Sequence, residues 1–251
     1  MIRSRYLRRL PVLGGPKAVP LSISGLALWL DSSDASSITL DGSNNVSQWN
    51  DKSGNARHAA QSTALNRPSW LTNQIGSYGA VKPNGSSQWL EVPSMPSMAA
   101  GWTVALVVRR GTVESRGIVG ANAGTASSAL IIGPGTGTNL QISQWGSSLN
   151  VSGPSLGSGV DFGILATYDG SHTTGNFSIR VSTNGTPATG TMTQSAATPP
   201  SATWNIARYG SVGGYFGSNI YEIIAYDRQI SVGEQSQLQT YITAKWGVAW
   251  S

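Results

Sequence analysis

The stretch Gly217-Ser-Asn-Ile-Tyr-Glu-Ile-Ile-Ala-Tyr-Asp-Arg-Gln-Ile230, followed by residues 231–246, predicts a strand that leads directly into a helix. Ser231 and Glu234 form the S-x-x-E pattern of a capping box, which satisfies two free backbone donors in the first helical turn. The apolar residues that follow at helical spacing are Leu238, Tyr241, Ile242 and Trp246. They give the helix one apolar face, which can lie on a sheet.

The body before this helix reads as short strands separated by turns. In residues 176–182, Phe177, Ile179 and Val181 alternate with polar residues, as in a half-buried strand. Asn184-Gly185 follows and predicts a hairpin turn, whereas residues 111–138 and 186–202 are mainly loop-like in composition. Strands are predicted at 26–30, 79–92, 102–109, 116–121, 128–132, 138–145, 161–168, 176–182, 203–209 and 217–226. Short strands at this spacing indicate a β-sandwich.

These segments resemble a known family. Residues 219–234, with Tyr241 and Lys245-Trp246-Gly247, are similar to the closing strand and helix of concanavalin A-like and laminin-G-like jelly-roll domains. The resemblance extends over about residues 25–248. Its other segments are Gly25–Asp31, Asp34–Ser37, Val46–Asn55 and Val81–Val92, the last matching the family's Phe-Asp-Gly-Ser-Asp-Asp-Tyr-Leu type of strand. The resemblance implies an all-β jelly-roll sandwich with one short C-terminal helix, of the kind frequent in bacteriophage virion proteins and secreted sugar-binding modules.

The charge of the chain is divided unevenly. The formal net charge is +5, and residues 1–20 carry five basic residues and no acid. These residues are Arg3, Arg5, Arg8, Arg9 and Lys17. The body from residue 21 onward is therefore neutral. We expect residues 1–20 to be a basic anchoring arm, and residues 21–251 to form one jelly-roll domain.

Composition excludes several classes of protein. There is no cysteine, so neither disulfides nor thiolate chemistry is available. No apolar run is long enough to span a membrane, and the arm lacks the apolar region of a signal peptide. The arm could neutralise phosphates, but the neutral body offers no basic face to continue a nucleic-acid contact.

Acidic residues do not form the pattern expected of a glycosidase. Retaining enzymes on this fold need two carboxylates about 5–5.5 Å apart, which on a strand means acids at i and i+2 or i+4. Asp31 and Asp34 are three apart, which puts them on opposite faces if the strand continues, and Glu222 stands alone in its strand. The sequence therefore predicts no catalytic residues and a protein that is not an enzyme.

Calcium is the cofactor that the resemblance leaves open. Related lectin and laminin-type domains often bind it through loop carboxylates and carbonyls. In this chain Asn84–Gln88 replaces the acidic Asp-Gly-Ser-Asp-Asp of the family. Asp31, Asp34, Asp41 and Asp51 could still cluster near one edge, and the alternative is that they form Asx turns.

Tryptophans supply the candidate sugar-binding residues. Aromatic faces stack on sugar rings, and the chain contains nine tryptophans. Four of them fall on strand or helix positions that predict burial: Trp29, Trp102, Trp204 and Trp246. Trp70, Trp145 and Trp250 are predicted to lie on the surface and to be the sugar platforms.

Two functions follow from this reading. The first is a non-enzymatic virion surface protein, of the capsid decoration or head-spike type. Its arm would bind the major capsid protein or another virion protein, and it would be an oligomer within the assembly. The alternative is a lectin-like module that adsorbs to host-surface glycans. The first would be made in the host cytoplasm and lie on the virion surface. The lack of a long apolar run predicts no membrane partner, and the neutral body argues against a nucleic-acid partner.

Overall fold

The computed structural model describes residues 19–97, 100–109, 111, 117–121, 130–134, 139–144, 150–155, 158–171, 177–182, 184–190, 203–208 and 214–250. Its first elements are α1 (Val19–Ser22), β1 (Leu26–Asp31), β2 (Ile38–Leu40), β3 (Val46–Trp49), β4 (Ala59–Ala60), β5 (Ser69–Ile75), β6 (Tyr78–Lys82), β7 (Leu90–Val92) and β8 (Trp102–Arg109). The later elements are β9 (Val119–Ala121), β10 (Leu130–Pro134), β11 (Asn139–Gln144), β12 (Asn150–Ser155), β13 (Asp161–Tyr168), β14 (Phe177–Val181), β15 (Asn184–Gly190), β16 (Trp204–Ile206), β17 (Ile220–Tyr226) and α2 (Val232–Trp246).

The strands form two antiparallel sheets. The first sheet has the order β15-β14-β13-β8-β17-β6-β5, and β1 pairs with β17. The second sheet has the order β12-β11-β10-β9-β16-β7-β4-β3-β2. Side chains from both sheets form one buried cluster, which includes Leu106 and Ile223 from the first sheet and Leu90 and Ile206 from the second. The predicted β-sandwich is therefore confirmed.

The first sheet is buried on both faces. In β17, Ile220 and Ile223 belong to the cluster between the sheets, whereas Tyr221 and Ile224 belong to a second cluster. That second cluster lies between this sheet and α2. Burial on both sides explains why β17 is a continuous run of apolar and aromatic residues with only one acid, Glu222.

Helix α2 begins and ends as its sequence predicts. The Oγ of Ser231 accepts a hydrogen bond from the N–H of Glu234, whose carboxylate accepts from the N–H of Ser231 in return. The helix ends at Gly247, whose φ of 71° lies in the left-handed region that favours glycine. The buried residues of α2 are Leu238, Ile242 and Trp246. Burying each such side chain contributes about 1.5–3 kcal/mol.

Several boundaries differ from the predicted ones. The strand expected at 79–92 is two strands, β6 and β7, because the Oδ1 of Asn84 accepts hydrogen bonds from the backbone of residues 86–88 and turns the chain. Asn184-Gly185 lies within β15 instead of forming a turn, since Val181 pairs with Asn184. Part of the loop expected at 186–202 is therefore strand. The sequence also missed β2, β3, β4, β5 and β12.

The start of the described chain packs against the body. Helix α1 includes the last two residues of the predicted arm, and Pro20 is buried. The hydroxyl of Tyr226 donates a hydrogen bond of 3.3 Å to the carbonyl of Pro20. The five charged residues predicted for the arm lie outside the described residues. Within the described ranges, neither helix combines the length and apolar character that crossing a bilayer requires.

Candidate functional site

The outer face of the second sheet presents polar side chains. Leu90 and Val92 of β7 are buried in the core, and so are Trp204 and Ile206 of β16. Alternation along a strand places the residues between them, Glu91 and Asn205, on the opposite face. These two residues are direct partners across β7 and β16.

The register extends this pair into a row across five strands. Gln48 pairs with Ala60, Ala60 with Glu91, Glu91 with Asn205, and Asn205 with Gly120. Residues paired directly across strands share a face. Four strand spacings of about 4.8 Å make the row about 19 Å long. We call these five residues the outer-face row.

The row contains two polar groups that the fold itself does not use. Asn205 is only 8% exposed, yet its carboxamide makes no hydrogen bond to any residue in the described ranges. Glu91 is exposed and forms neither an ion pair nor a side-chain hydrogen bond within those same ranges. An amide and a carboxylate that are adjacent and unused by the fold can bind an external ligand.

An aromatic cluster lies at one end of the same strand pair. Trp89 immediately precedes β7, and Arg208 is the second residue after β16, so antiparallel pairing brings them to the same end. The guanidinium carbon of Arg208 lies 4.4 Å from the ring centroid of Trp89 and 5.9 Å from that of Tyr215. The two rings are half-buried, with centroids 6.0 Å apart. Arg208 therefore makes cation–π contacts with both rings, and Trp89 lies two residues, about 7 Å, along the chain from Glu91.

A second cluster of acids lies between the first sheet and α2. Asp31 and Glu222 are direct partners on β1 and β17, and the Nζ of Lys245 lies 2.7 Å from Asp31 and 2.9 Å from Glu222. Glu222 also accepts hydrogen bonds from Tyr241, from the indole N–H of Trp29 and from that of Trp246. Glu222 is the one acid in its own strand, as predicted, but strand pairing brings a second acid, Asp31 of β1, beside it.

Burial and charge determine how these groups titrate. Burial alone would raise the pKa of Asp31, but the Lys245 ammonium, together with hydrogen bonds from Lys245, Ser33 and Lys52, holds it below its ordinary value. Burial and the neighbouring Glu222 carboxylate raise the pKa of Tyr241. Glu222 is fully buried and both of its oxygens accept hydrogen bonds. The cluster therefore holds α2 on the sheet.

The four aspartates considered as calcium ligands do not converge. Asp31 and Asp34 both contact the Nζ of Lys52, at 2.9 and 3.0 Å. The strand ends at Asp31, so the continuing strand that would place them on opposite faces is not formed. Asp41 contacts Arg67 at 3.1 Å, and Asp51 accepts hydrogen bonds from backbone N–H groups, including that of Trp29. Across the described part of the chain, no three acids or histidines are grouped as a metal site. Calcium binding stays an untested prediction.

The three tryptophans predicted to bind sugar have different positions. Trp70 is 7% exposed and belongs to the core between the sheets, so its predicted surface position is wrong. Burial follows from Gly79 on the neighbouring strand, which leaves space for the Trp70 ring. Trp145 lies outside the described residues. Trp250 is half-buried beside α2 and lines a groove. The four tryptophans predicted to be buried are buried.

Sequence reasoning missed the outer-face row and its aromatic neighbours. The available signal was a polar residue between two apolar ones in Leu90-Glu91-Val92 and in Trp204-Asn205-Ile206. Each pattern is short and common. Only the strand pairing shows that Glu91 and Asn205 are adjacent.

No family model and no curated protein matches the chain. Among the solved structures, Trypanosoma rangeli sialidase in complex with 2,3-difluorosialic acid matches at a TM-score of 0.62 and 14% identity, over 90% of this chain and 34% of that one. A second match is domain 4 of AbnA, a GH43 extracellular arabinanase from Geobacillus stearothermophilus, in complex with arabinotriose. Its TM-score is 0.56 and its identity 16%, over 86% of this chain and 98% of that one. A GH54 α-L-arabinofuranosidase matches with a TM-score of 0.60 and 14% identity, over 90% of this chain and 60% of that one.

These matches correct two predictions. The chain spans about a third of the sialidase, and the likeness at these identities shows the fold alone. Even so, the matched structures are glycosidases or a domain of one, whereas a virion protein was predicted. The prediction of a non-enzymatic virion surface protein is therefore wrong, as is the prediction that excluded an enzyme. The docking of the basic arm on a partner stays untested.

Proposed function

We propose that this chain is a carbohydrate-binding β-sandwich domain of the concanavalin A-like kind, which binds an oligosaccharide across the outer-face row. One observation carries the proposal: Asn205 and Glu91 are adjacent on an outer sheet face, and neither is used by the fold. The matched arabinanase domain, solved with arabinotriose, supports the same ligand class.

The chemistry of the row suits a sugar. The Asn205 carboxamide both donates and accepts hydrogen bonds, and the Glu91 carboxylate accepts them. A sugar hydroxyl can do both, so adjacent hydroxyls can be bound by this pair. The Trp89 and Tyr215 rings supply the apolar surface against which the carbon face of a sugar packs. Gly120 at the β9 end of the row is buried, so the part open to a ligand runs from Gln48 to Asn205 over three strand spacings, about 14 Å. This length exceeds the dimensions of one ring, which favours an oligosaccharide.

A binding panel tests this proposal. The probes are arabinotriose, xylotriose, maltotriose and sialyllactose, measured by titration calorimetry with the unmodified chain and with Asn205→Ala and Trp89→Ala. We expect at least one probe to bind, and each variant to weaken it by about tenfold or more. Gln237→Ala is the matched control, because it removes an exposed amide on α2. Binding that both site variants leave unchanged would exclude the outer face.

Hydrolysis is the second candidate function, and one observation favours it. Glu91 presents an exposed carboxylate, unpaired within the described ranges, in the row where the sugar would lie. Such a carboxylate supplies one of the two acids that a glycosidase uses, and the second would have to come from outside the outer-face row. Release of reducing ends from a bound probe, lost in Glu91→Gln with binding retained, would establish this function. Binding without release by the unmodified chain would leave the domain as a binding module.

A further inference from the structure

A groove lies on the opposite side of the molecule, between α2 and the end of the chain. Its volume is about 450 Å³, within the range of small-molecule sites. It is lined by Ser236, Gln239, Thr240, Thr243, Ala244, Ala249 and Trp250. None of these residues is charged. The two sheets lie between this groove and the outer-face row.

The hydroxyl groups of the groove are arranged as acceptors. Ser236 donates its proton to the carbonyl of Val232, Thr240 to that of Ser236, and Thr243 to that of Val248. Each hydroxyl has a single proton, so the oxygen that remains can only accept. Because positions 236, 240 and 243 share one face of the helix, the three oxygens lie along about 10 Å of it.

The remaining wall supplies an amide and an aromatic ring. Gln239 is half-buried, and its carboxamide makes no hydrogen bond to any residue of the described chain. Trp250 packs against β13 at Gly163, where an ideal Cβ would lie 2.6 Å from the indole ring. Because Gly163 has no side chain, the Trp250 ring can pack directly on β13, and it lies beside the groove.

We propose that this groove is a second site, which binds a neutral monosaccharide or disaccharide. Its three acceptor oxygens match a ligand rich in hydroxyl donors, and they disfavour a carboxylate or phosphate, which would bring more acceptors and a charge that nothing in the lining neutralises. The indole ring packs on the carbon face of the sugar. This inference does not depend on the outer-face proposal, since the two sites share no residue.

The test uses matched neutral and anionic sugars. The unmodified chain is titrated with arabinose, glucose and galactose, and with glucuronate and galacturonate, while the indole N–H and α2 amide signals are followed by NMR. We expect a neutral sugar to shift the Trp250 indole signal and the amide signals of residues 239–244. The uronate of the same ring should bind about tenfold more weakly or not at all.

Variants separate the groove from the outer-face site. Trp250→Ala and Thr240→Val should each weaken neutral-sugar binding by about tenfold or more, because one removes the ring and the other replaces a hydroxyl with a methyl of similar size. Gly163→Ala should do the same by displacing the ring while Trp250 is kept. Asn205→Ala and the α2 control Gln237→Ala should leave groove binding unchanged. The absence of groove shifts with every sugar, equal binding of the uronates, or unchanged binding in Trp250→Ala would overturn the proposal.

Discussion

Asp31 and Glu222 lie opposite each other on β1 and β17, and one ammonium group, the Nζ of Lys245, contacts both carboxylates. Two adjacent acids that are 3% and 0% exposed would repel each other without a shared cation. Lys245 comes from the last turn of α2. The two acids can therefore be buried together only when α2 is packed on the sheet and supplies Lys245.

Replacing Lys245 with methionine tests this relationship. Lys245→Met keeps the apolar stem of the side chain but leaves the two carboxylates without their shared cation, so we expect the free energy of unfolding to fall by about 3–5 kcal/mol. Urea unfolding at neutral pH measures the change. Lys82→Met is the control, because Lys82 is exposed. A loss no larger in Lys245→Met than in the control would contradict the role of the cluster.

The same variant should reverse the dependence of stability on pH. In the unmodified chain the pKa of Asp31 is lowered, so its contribution is present above its ordinary value of 3.8 and is lost as pH falls. Without Lys245, burial would raise the folded-state pKa of Asp31 above its unfolded value, because the largest charge that now lowers it is removed. The stability of the variant should then decrease as pH rises through those values. Unfolding free energies should be measured for both chains from about pH 4 to about pH 8. The difference in unfolding free energy between Lys245→Met and the unmodified chain should become smaller as pH falls. A deficit independent of pH would be evidence against this account.

The capping box of α2 gives a second pH prediction. Hydrogen bonds from Arg228 and from the backbone of Ser231 lower the pKa of Glu234 from 4.5 to about 2. Its contribution is therefore present above pH 4.5 and is lost as pH falls toward 2. Glu234→Gln should be less stable than the unmodified chain at neutral pH, and the difference should disappear in acid. Thermal unfolding across this range measures it, and a constant difference would show that the carboxylate charge is irrelevant.

The position of Trp70 depends on a glycine. An ideal Cβ at Gly79 would lie 2.2 Å from the Trp70 ring and 2.7 Å from the carbonyl oxygen of Leu71. Gly79→Ala should therefore destabilise the fold by about 1–3 kcal/mol, as overpacking does. Gly42→Ala is the matched control, because its Cβ would meet no atom within 4 Å. Equal unfolding midpoints for the two variants would show that β5 and β6 can move apart at little cost in free energy.

The sequence predicts local features of this fold better than it predicts pairings. The capping box at Ser231 and the alternation around Phe177 depend on neighbouring residues, and both predictions are confirmed. The hairpin predicted after Val181 is present as β14 and β15, but its turn precedes Asn184, because Asn184 itself pairs with Val181.

The candidate site depends on long-range pairing. Glu91 and Asn205 are 114 positions apart in the chain and become neighbours only because β7 pairs with β16. Asp31 and Glu222 meet in the same way. A search for acids at i and i+2 along one strand cannot find residues that strand pairing brings together. Of the tryptophans predicted to bind sugar, Trp250 alone lines a site in the described chain.

The most direct test of the central proposal is an NMR map of saccharide binding. The oligosaccharide of the panel that binds most tightly is added to the labelled chain, and the backbone amide signals are followed. We predict that shifts will concentrate in residues 89–92 and 204–206, together with the Trp89 indole signal, and that Asn205→Ala will suppress them. Shifts that avoid β7 and β16, or no shift with any of the panel's sugars, would contradict the proposal that this outer face binds carbohydrate.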